Sequence, residues 1–145
     1  MLDYRYEQHE YYKWIEHVAA YAKVCYGAEV DMRAEEDAFI YEVKGKKIQV
    51  KGETPPRDKL YILLHELGHL VRLIENASDN TYFMDRTGAK NERERVMTLM
   101  EEVLAWHKAD EIATKLEIPI EKRAWQRLVS RTVNKYVGWA CDTEI

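Results

Sequence analysis

The sequence predicts an α+β protein: an N-terminal helix, a small antiparallel sheet, a helix carrying His-Glu-Leu-Gly-His packed against a glutamate-bearing helix, and a C-terminal helix. Three observations carry this expectation. Apolar residues recur at helical spacing in four long stretches, one central tract alternates with period two around a glycine-containing turn, and Gly, Pro and Asn clusters separate these segments. With 145 residues, 46% of them hydrophobic and 33% charged, the chain reads as one soluble globular domain over residues 1–145.

The first helix is expected from Tyr4 to about Tyr26. Tyr11, Ile15, Val18, Ala22 and Cys25 mark one face, and Gly27 suits its C-terminal cap. Its many tyrosines, with Trp14, read as core packing with wet hydroxyls rather than as a ligand platform. His9 and His17 read as surface residues, and Cys25 as a small packed one. Ala28 to Met32 is a short extended candidate. Ala38 to Val43 and Ile48 to Lys51, joined through Lys44-Gly45-Lys46-Lys47, read as a hairpin whose apolar face needs a covering helix.

Thr54 is the expected N-cap of the next helix, with Pro55 and Pro56 in its first turn and a span from about Arg57 to Glu75. Thr81 to Met84 is a further strand candidate, and Asp85 to Asn91 reads as loop. A long helix follows from about Glu92 to Leu116, ended by Ile118-Pro119. A last helix covers about Ile120 to Trp139, with Trp125, Leu128, Val129, Thr132, Tyr136 and Val137 facing inward. Arg123, Arg127, Arg131 and Lys135 form a basic stripe on another face; such a stripe can touch nucleic acid or an acidic peptide, but it is read here as a solvated face paired with acidic neighbours.

The chemistry is concentrated at His65-Glu66-Leu67-Gly68-His69. On a helix, positions i and i+4 share a face one turn apart, so both imidazoles can reach one zinc ion. Glu66 then sits beside the metal, where a general base for a metal-activated water belongs. Leu60, Leu64, Leu67, Val71 and Ile74 make this helix amphipathic and ordered. Gly68 costs a helix interior about 1 kcal/mol relative to alanine, which close approach of another backbone explains.

Catalytic zinc takes three protein ligands and keeps a position open. Glu102 is the expected third ligand, because it shares a face with Leu99, Trp106, Ala109 and Ala113. Glu101, on the wetter face of Thr98, Ala105 and Lys108, is the alternative, and His107 a more distant one. Tyr82, Tyr136 and His107 are candidate oxyanion donors by residue type. The loop from Ala77 to Asn91, between the two ligand helices, is the expected lining of the cleft.

These motifs and the order of elements resemble the ImmA/IrrE-type zinc metallopeptidases, a gluzincin-like group. The stretch from Arg57 to His69 matches that family's metal helix. Its second motif, which usually reads like E-x-E-A-N followed by F-A, here becomes Glu101-Glu102-Val103-Leu104-Ala105-Trp106. The closing Lys135-Tyr136-Val137-Gly138-Trp139-Ala140 suggests a phage or mobile-element relative. The resemblance implies a zincin-like metallopeptidase acting on a protein or peptide, a regulatory protein among the options. The alternative is a catalytically inactive zinc-stabilised module that binds protein or nucleic acid.

Composition narrows the partners. A formal net charge of −4 gives no global signal for nucleic acid or an anionic membrane. No apolar run approaches a membrane span, and the start of the chain does not read as a signal peptide. Two cysteines outside any C-x-x-C pair suggest reduced thiols and a cytoplasmic setting.

Overall fold

The computed structural model describes residues 6–42, 45–76 and 89–141. Among these, four helices and a three-stranded sheet form an α+β fold in the order α1 (Gln8–Tyr26), β1 (Ala28–Ala34), β2 (Ala38–Glu42), β3 (Gly45–Lys51), α2 (Pro56–Glu75), α3 (Glu92–Lys115) and α4 (Lys122–Cys141). Helix α2 is the centre: it packs against α1 on one side, α3 on another, and β2 and β3 across a third. Every residue from Leu63 to Val71 is buried, as befits a helix enclosed on all sides.

Helix α1 follows its predicted face. Tyr11, Ile15, Val18 and Ala22 are buried, and Gly27 closes the helix in the left-handed region at φ 69°. Tyr6, Tyr11 and Trp14 pack edge to face, in keeping with a core role for the aromatics. Cys25 differs from expectation: it is exposed. The last turn of α1 presents Cys25 to solvent, while Tyr21 and Tyr26 pack against each other and partly against the core.

The sheet is mixed rather than wholly antiparallel. Strands β2 and β3 form the expected hairpin, paired from Ala38↔Gln49 to Glu42↔Gly45, so Gly45 to Lys47 belong to the strand and not to a turn. Strand β1 pairs parallel to β3 on its other side, giving the order β1-β3-β2. The physical reason is reach. Strands β1 and β2 are two strand spacings apart, roughly 10 Å, which Glu35-Glu36-Asp37 can span. Asp37 anchors the crossing by accepting a hydrogen bond from the Lys51 N–H at 2.8 Å, and the Gly52 N–H donates to the Ala34 carbonyl at 3.0 Å. Ile48, Val50 and Ala28 give the sheet its buried face.

Helix ends are set by local chemistry. Pro55, not Thr54, occupies the N-cap of α2, and no side chain caps it. Asn91 caps α3, its Oδ1 accepting from the Glu94 N–H at 2.9 Å, while the Glu94 carboxylate accepts from the Lys90 N–H at 2.6 Å. At the other end of α3 the Glu117 and Ile118 N–H groups bond back to Thr114 and Ala113, with Glu117 at φ 57° and Ile118 buried behind it. This is a Schellman closure with glutamate where glycine is usual. Glu121, just before α4, joins three helices: it accepts from the Tyr11 hydroxyl and from Arg57 Nη1 at 3.2 Å, and its N–H donates to the Tyr61 hydroxyl at 3.0 Å.

The closest approach in the molecule is at Gly68. A Cβ there would lie 2.4 Å from the Ala105 carbonyl oxygen and 3.2 Å from the Ala109 nitrogen, so α2 and α3 touch backbone to backbone. Gly68→Ala is therefore expected to lower stability by about 2 kcal/mol, although alanine would gain about 1 kcal/mol in an open helix. Urea unfolding measures this, and a neutral or stabilising result would remove the contact. Glu117→Gly relieves the left-handed backbone of an exposed residue. It is expected to raise stability by about 1 kcal/mol in the same assay. An unchanged midpoint would argue against the Schellman closure.

Candidate metal centre

Three buried side chains converge where α2 meets α3. His65, His69 and Glu102 each offer a ligand atom, and these atoms all lie within 4.8 Å of one another. His65 Nε2 is 3.1 Å from Glu102 Oε1, and His69 Nε2 is 3.0 Å from Glu102 Oε2. Ligands arranged tetrahedrally at zinc-like bond lengths stand roughly 3.3 Å apart, so the two histidine–glutamate distances are already near the spacing an ion needs. The group could hold a metal ion.

The fit has a second sign in His65. Its Nε2 is buried and makes no hydrogen bond, because the Glu102 oxygen is near but off the donor direction. An orphaned buried nitrogen is costly unless something satisfies it. A soft-to-borderline cation with nitrogen and oxygen ligands would do so.

Both imidazole rings are fixed by their neighbours. His65 stacks on Trp106 at 4.1 Å and 12°, and the Trp106 Nε1 is held by Thr132 Oγ1 at 2.9 Å. His69 stacks on Phe39 of β2 at 5.1 Å and 15°. His69 Nδ1 faces Glu101 Oε2 at 3.1 Å, and the other Glu101 oxygen accepts from Arg72 Nε at 2.9 Å. The Arg72–Glu101 pair therefore orients His69 with Nε2 toward Glu102, the arrangement in which a carboxylate fixes a metal-ligating histidine.

Electrostatics tie the group together. Burial works against the charged form of Glu102, yet His65 and His69 outweigh it and hold the carboxyl down at about 2. Burial likewise opposes protonation of His69, but Glu101 and Glu102 prevail and push it up to about 10. His65 is also raised: burial opposes the charge, and the carboxylates of Glu102 and Glu66 exceed that opposition. Without a metal the carboxylates thus favour the protonated form of both imidazoles, the same electrostatic preference that would favour a divalent cation.

The group opens into a cavity of about 590 Å³. Helix α2 forms its floor with His65, Glu66 and His69; β2 forms one wall with Phe39 and Tyr41, and α4 another with Thr132 and Tyr136. The Glu66 carboxylate lies 3.6 Å from His65 Nδ1.

The predicted residues fare as follows. His65, Glu66, His69 and Glu102 come together. Glu101 corrects the expectation of a wet face: it is 3% exposed, as buried as Glu102, because Thr98 and Ala105 beside it are buried too. The neighbouring Arg72, three residues after His69, was the available signal that a second acid is needed inside. Among the oxyanion candidates Tyr136 lines the cavity, whereas His107 is exposed and lines a different recess. Tyr82, the Thr81–Met84 strand candidate and most of the Ala77–Asn91 loop lie outside the described residues. Phe39 and Trp106, which clamp the two rings, carried no functional signal in the sequence.

No protein-family model matches this chain, and neither a curated protein nor a solved structure matches it. The geometry therefore stands alone.

Metal analysis of purified protein tests the group. His69→Ala and Glu102→Ala are each expected to abolish binding of a single divalent ion. Glu101→Gln is expected to retain it with about 10–100-fold weaker affinity. If Glu102→Ala keeps the ion and Glu101→Ala loses it, the two glutamates exchange roles.

Proposed function

We propose that the protein is a zinc-dependent metallopeptidase of ImmA/IrrE-like character, working in the cytoplasm on a protein or peptide. The observation that supports this most is the buried His65/His69/Glu102 group at the floor of an open cavity, with Glu66 beside it. Two histidines and one glutamate are the ligand set of a catalytic rather than a closed structural zinc site.

When bound, zinc would supply Lewis acidity, polarising the scissile carbonyl and making water a better nucleophile at neutral pH. The remaining steps belong to side chains. Glu66, in the same cavity, accepts the proton of the attacking water and returns it to the leaving amine. Tyr136, on the opposite wall, is the candidate donor to the oxygen that gains charge as the peptide carbon becomes tetrahedral. Trp106 and Phe39 keep the histidine rings from turning, so the metal geometry is set before substrate arrives.

The cavity also has a place for an extended chain. Among the described residues β2 is an edge of the sheet, and Ala38, Phe39 and Tyr41 of this strand line the cavity. Its outer backbone groups can pair with a peptide laid along it as an added strand. That favours a polypeptide substrate over a compact small molecule.

Glu66→Gln tests the reading. The variant is expected to bind zinc with affinity close to wild type and to lose at least about a thousandfold in peptide hydrolysis, measured on a mixed peptide pool by mass spectrometry. Retained function in that variant would favour the zinc-stabilised binding module instead.

A further inference from the structure

Arg123, Arg127 and Arg131 lie at i, i+4 and i+8 on α4 and are all exposed. The expectation that this stripe pairs with acidic neighbours is not met: among the described residues none of the three has an ion-pair or hydrogen-bond partner. They stand on a chain of formal net charge −4, so the row is a local concentration of positive charge rather than part of a basic surface.

The row also adjoins a second cavity, which Trp106 separates from the metal cavity. Gln126 and Ser130 line both the shallow groove of the arginines and a cavity of about 760 Å³ between α3 and α4. Trp106 lines that second cavity and the metal cavity alike. The recess is apolar at Val103, Trp125 and Val129 and polar at His107, Asp110 and Lys122, and it lies between Trp106 and the arginine row.

We propose that this surface is an exosite for the polypeptide on which the metal centre acts, taking an apolar side chain in the recess and acidic side chains on the arginine row. It rests on the peptidase reading for the fate of the partner, not for its chemistry. The spacing is specific. Arginines four residues apart on a helix rise about 6 Å, while alternate residues of an extended chain are roughly 6.6 Å apart. Acids at every second position thus match the row.

An acidic polypeptide fits better than nucleic acid. The net negative charge of the chain opposes a long polyanion, whereas three local carboxylates need only three local cations. Base stacking needs open aromatic faces. Trp106 is nearly buried, stacked on His65 and set edge to face with Trp125, which leaves the apolar part of the recess suited to an aliphatic side chain.

The test uses the zinc-loaded full chain carrying Glu66→Gln, so that the probe is not consumed. The probe is a fluorescein-labelled peptide, Leu-Gly-Glu-Ser-Glu-Ser-Glu, read by anisotropy beside the same peptide with Gln for Glu. The acidic peptide is expected to bind more tightly, to weaken as salt rises, and to lose about tenfold or more in the Arg123→Glu/Arg127→Glu/Arg131→Glu background. Circular dichroism checks that the reversal leaves the fold intact; should it not, Arg→Gln at the three positions replaces it. Equal affinity for the Glu and Gln peptides overturns the proposal. So does tighter binding of a twelve-nucleotide oligo-dT through the same row, or loss of the effect when self-association is removed by dilution. A longer acidic peptide given to the wild type separates the two readings. Binding without cleavage leaves the exosite and removes the peptidase. Cleavage of acidic and neutral peptides at equal kcat/KM leaves the peptidase and removes the exosite.

Discussion

The backbone contact between Gly68 and the Ala105–Ala109 turn sets the geometry of everything functional in this molecule. Glycine on one helix and two alanines on the other let α2 and α3 approach without side chains between them. His65 and His69 flank Gly68 on α2, and Glu102 sits one turn before Ala105–Trp106 on α3. The ligand atoms therefore meet because the helices touch next to them. The destabilising effect of an internal glycine is the cost of that proximity.

Proximity alone would bury too much charge. Glu66, Glu101 and Glu102 are acids in or beside a core, and an isolated buried carboxylate is strongly unfavourable. The molecule offsets them with His65, His69 and Arg72, each acid facing at least one base. Glu101 is the hinge of this balance. One of its oxygens meets Arg72 and the other His69, so it neutralises a cation and fixes a ring with the same carboxylate. Removing one member of such a cluster leaves its partner buried and uncompensated, which is why the site behaves as a unit.

How far the sequence discloses this depends on the range of the interaction. Helix faces and the His65–Glu66–His69 spacing are local periodicities, and Tyr11, Ile15, Val18 and Ala22 are legible from them, as is the need for a close neighbour at Gly68. The β2–β3 hairpin is local and legible too. The parallel pairing of β1 is not, because nothing in Ala28–Ala34 says which edge of the hairpin it takes. The choice between Glu101 and Glu102 shows the same limit. Helical spacing places Glu102 on the apolar stripe, but Glu101 is drawn inward by Arg72 and His69 from another helix, a partner set no period can reveal. Phe39 and Trp106 become ring clamps only through long-range packing, and at the end of α1 it is Tyr21 and Tyr26, not Cys25, that meet the core.

The two sides of the cavity differ in how they are attached. Helix α2 and the sheet share an apolar core that includes Ile48, Val50, Leu60 and Leu64. Helix α4 buries Ala124, Leu128 and Ala140, packs Trp125, Val129 and Val133 partly against the core, and adds polar contacts: Trp106 to Thr132, Arg95 Nε to the Ala140 carbonyl at 3.3 Å, and the Glu121 cluster at its start. A hydrogen bond contributes about 1 kcal/mol net, whereas a buried leucine contributes about 2–3 kcal/mol. The wall bearing Tyr136 thus combines partial apolar packing with such bonds, whereas the floor bearing the histidines lies among the fully buried Leu63, Leu64 and Leu67. The α4 wall and the candidate ligands are nevertheless linked, because Trp106 stacks on His65 and donates its indole N–H to Thr132 of α4. A shift of α4 would reach the His65 ring through that indole, so the width of the cavity and the orientation of His65 are coupled.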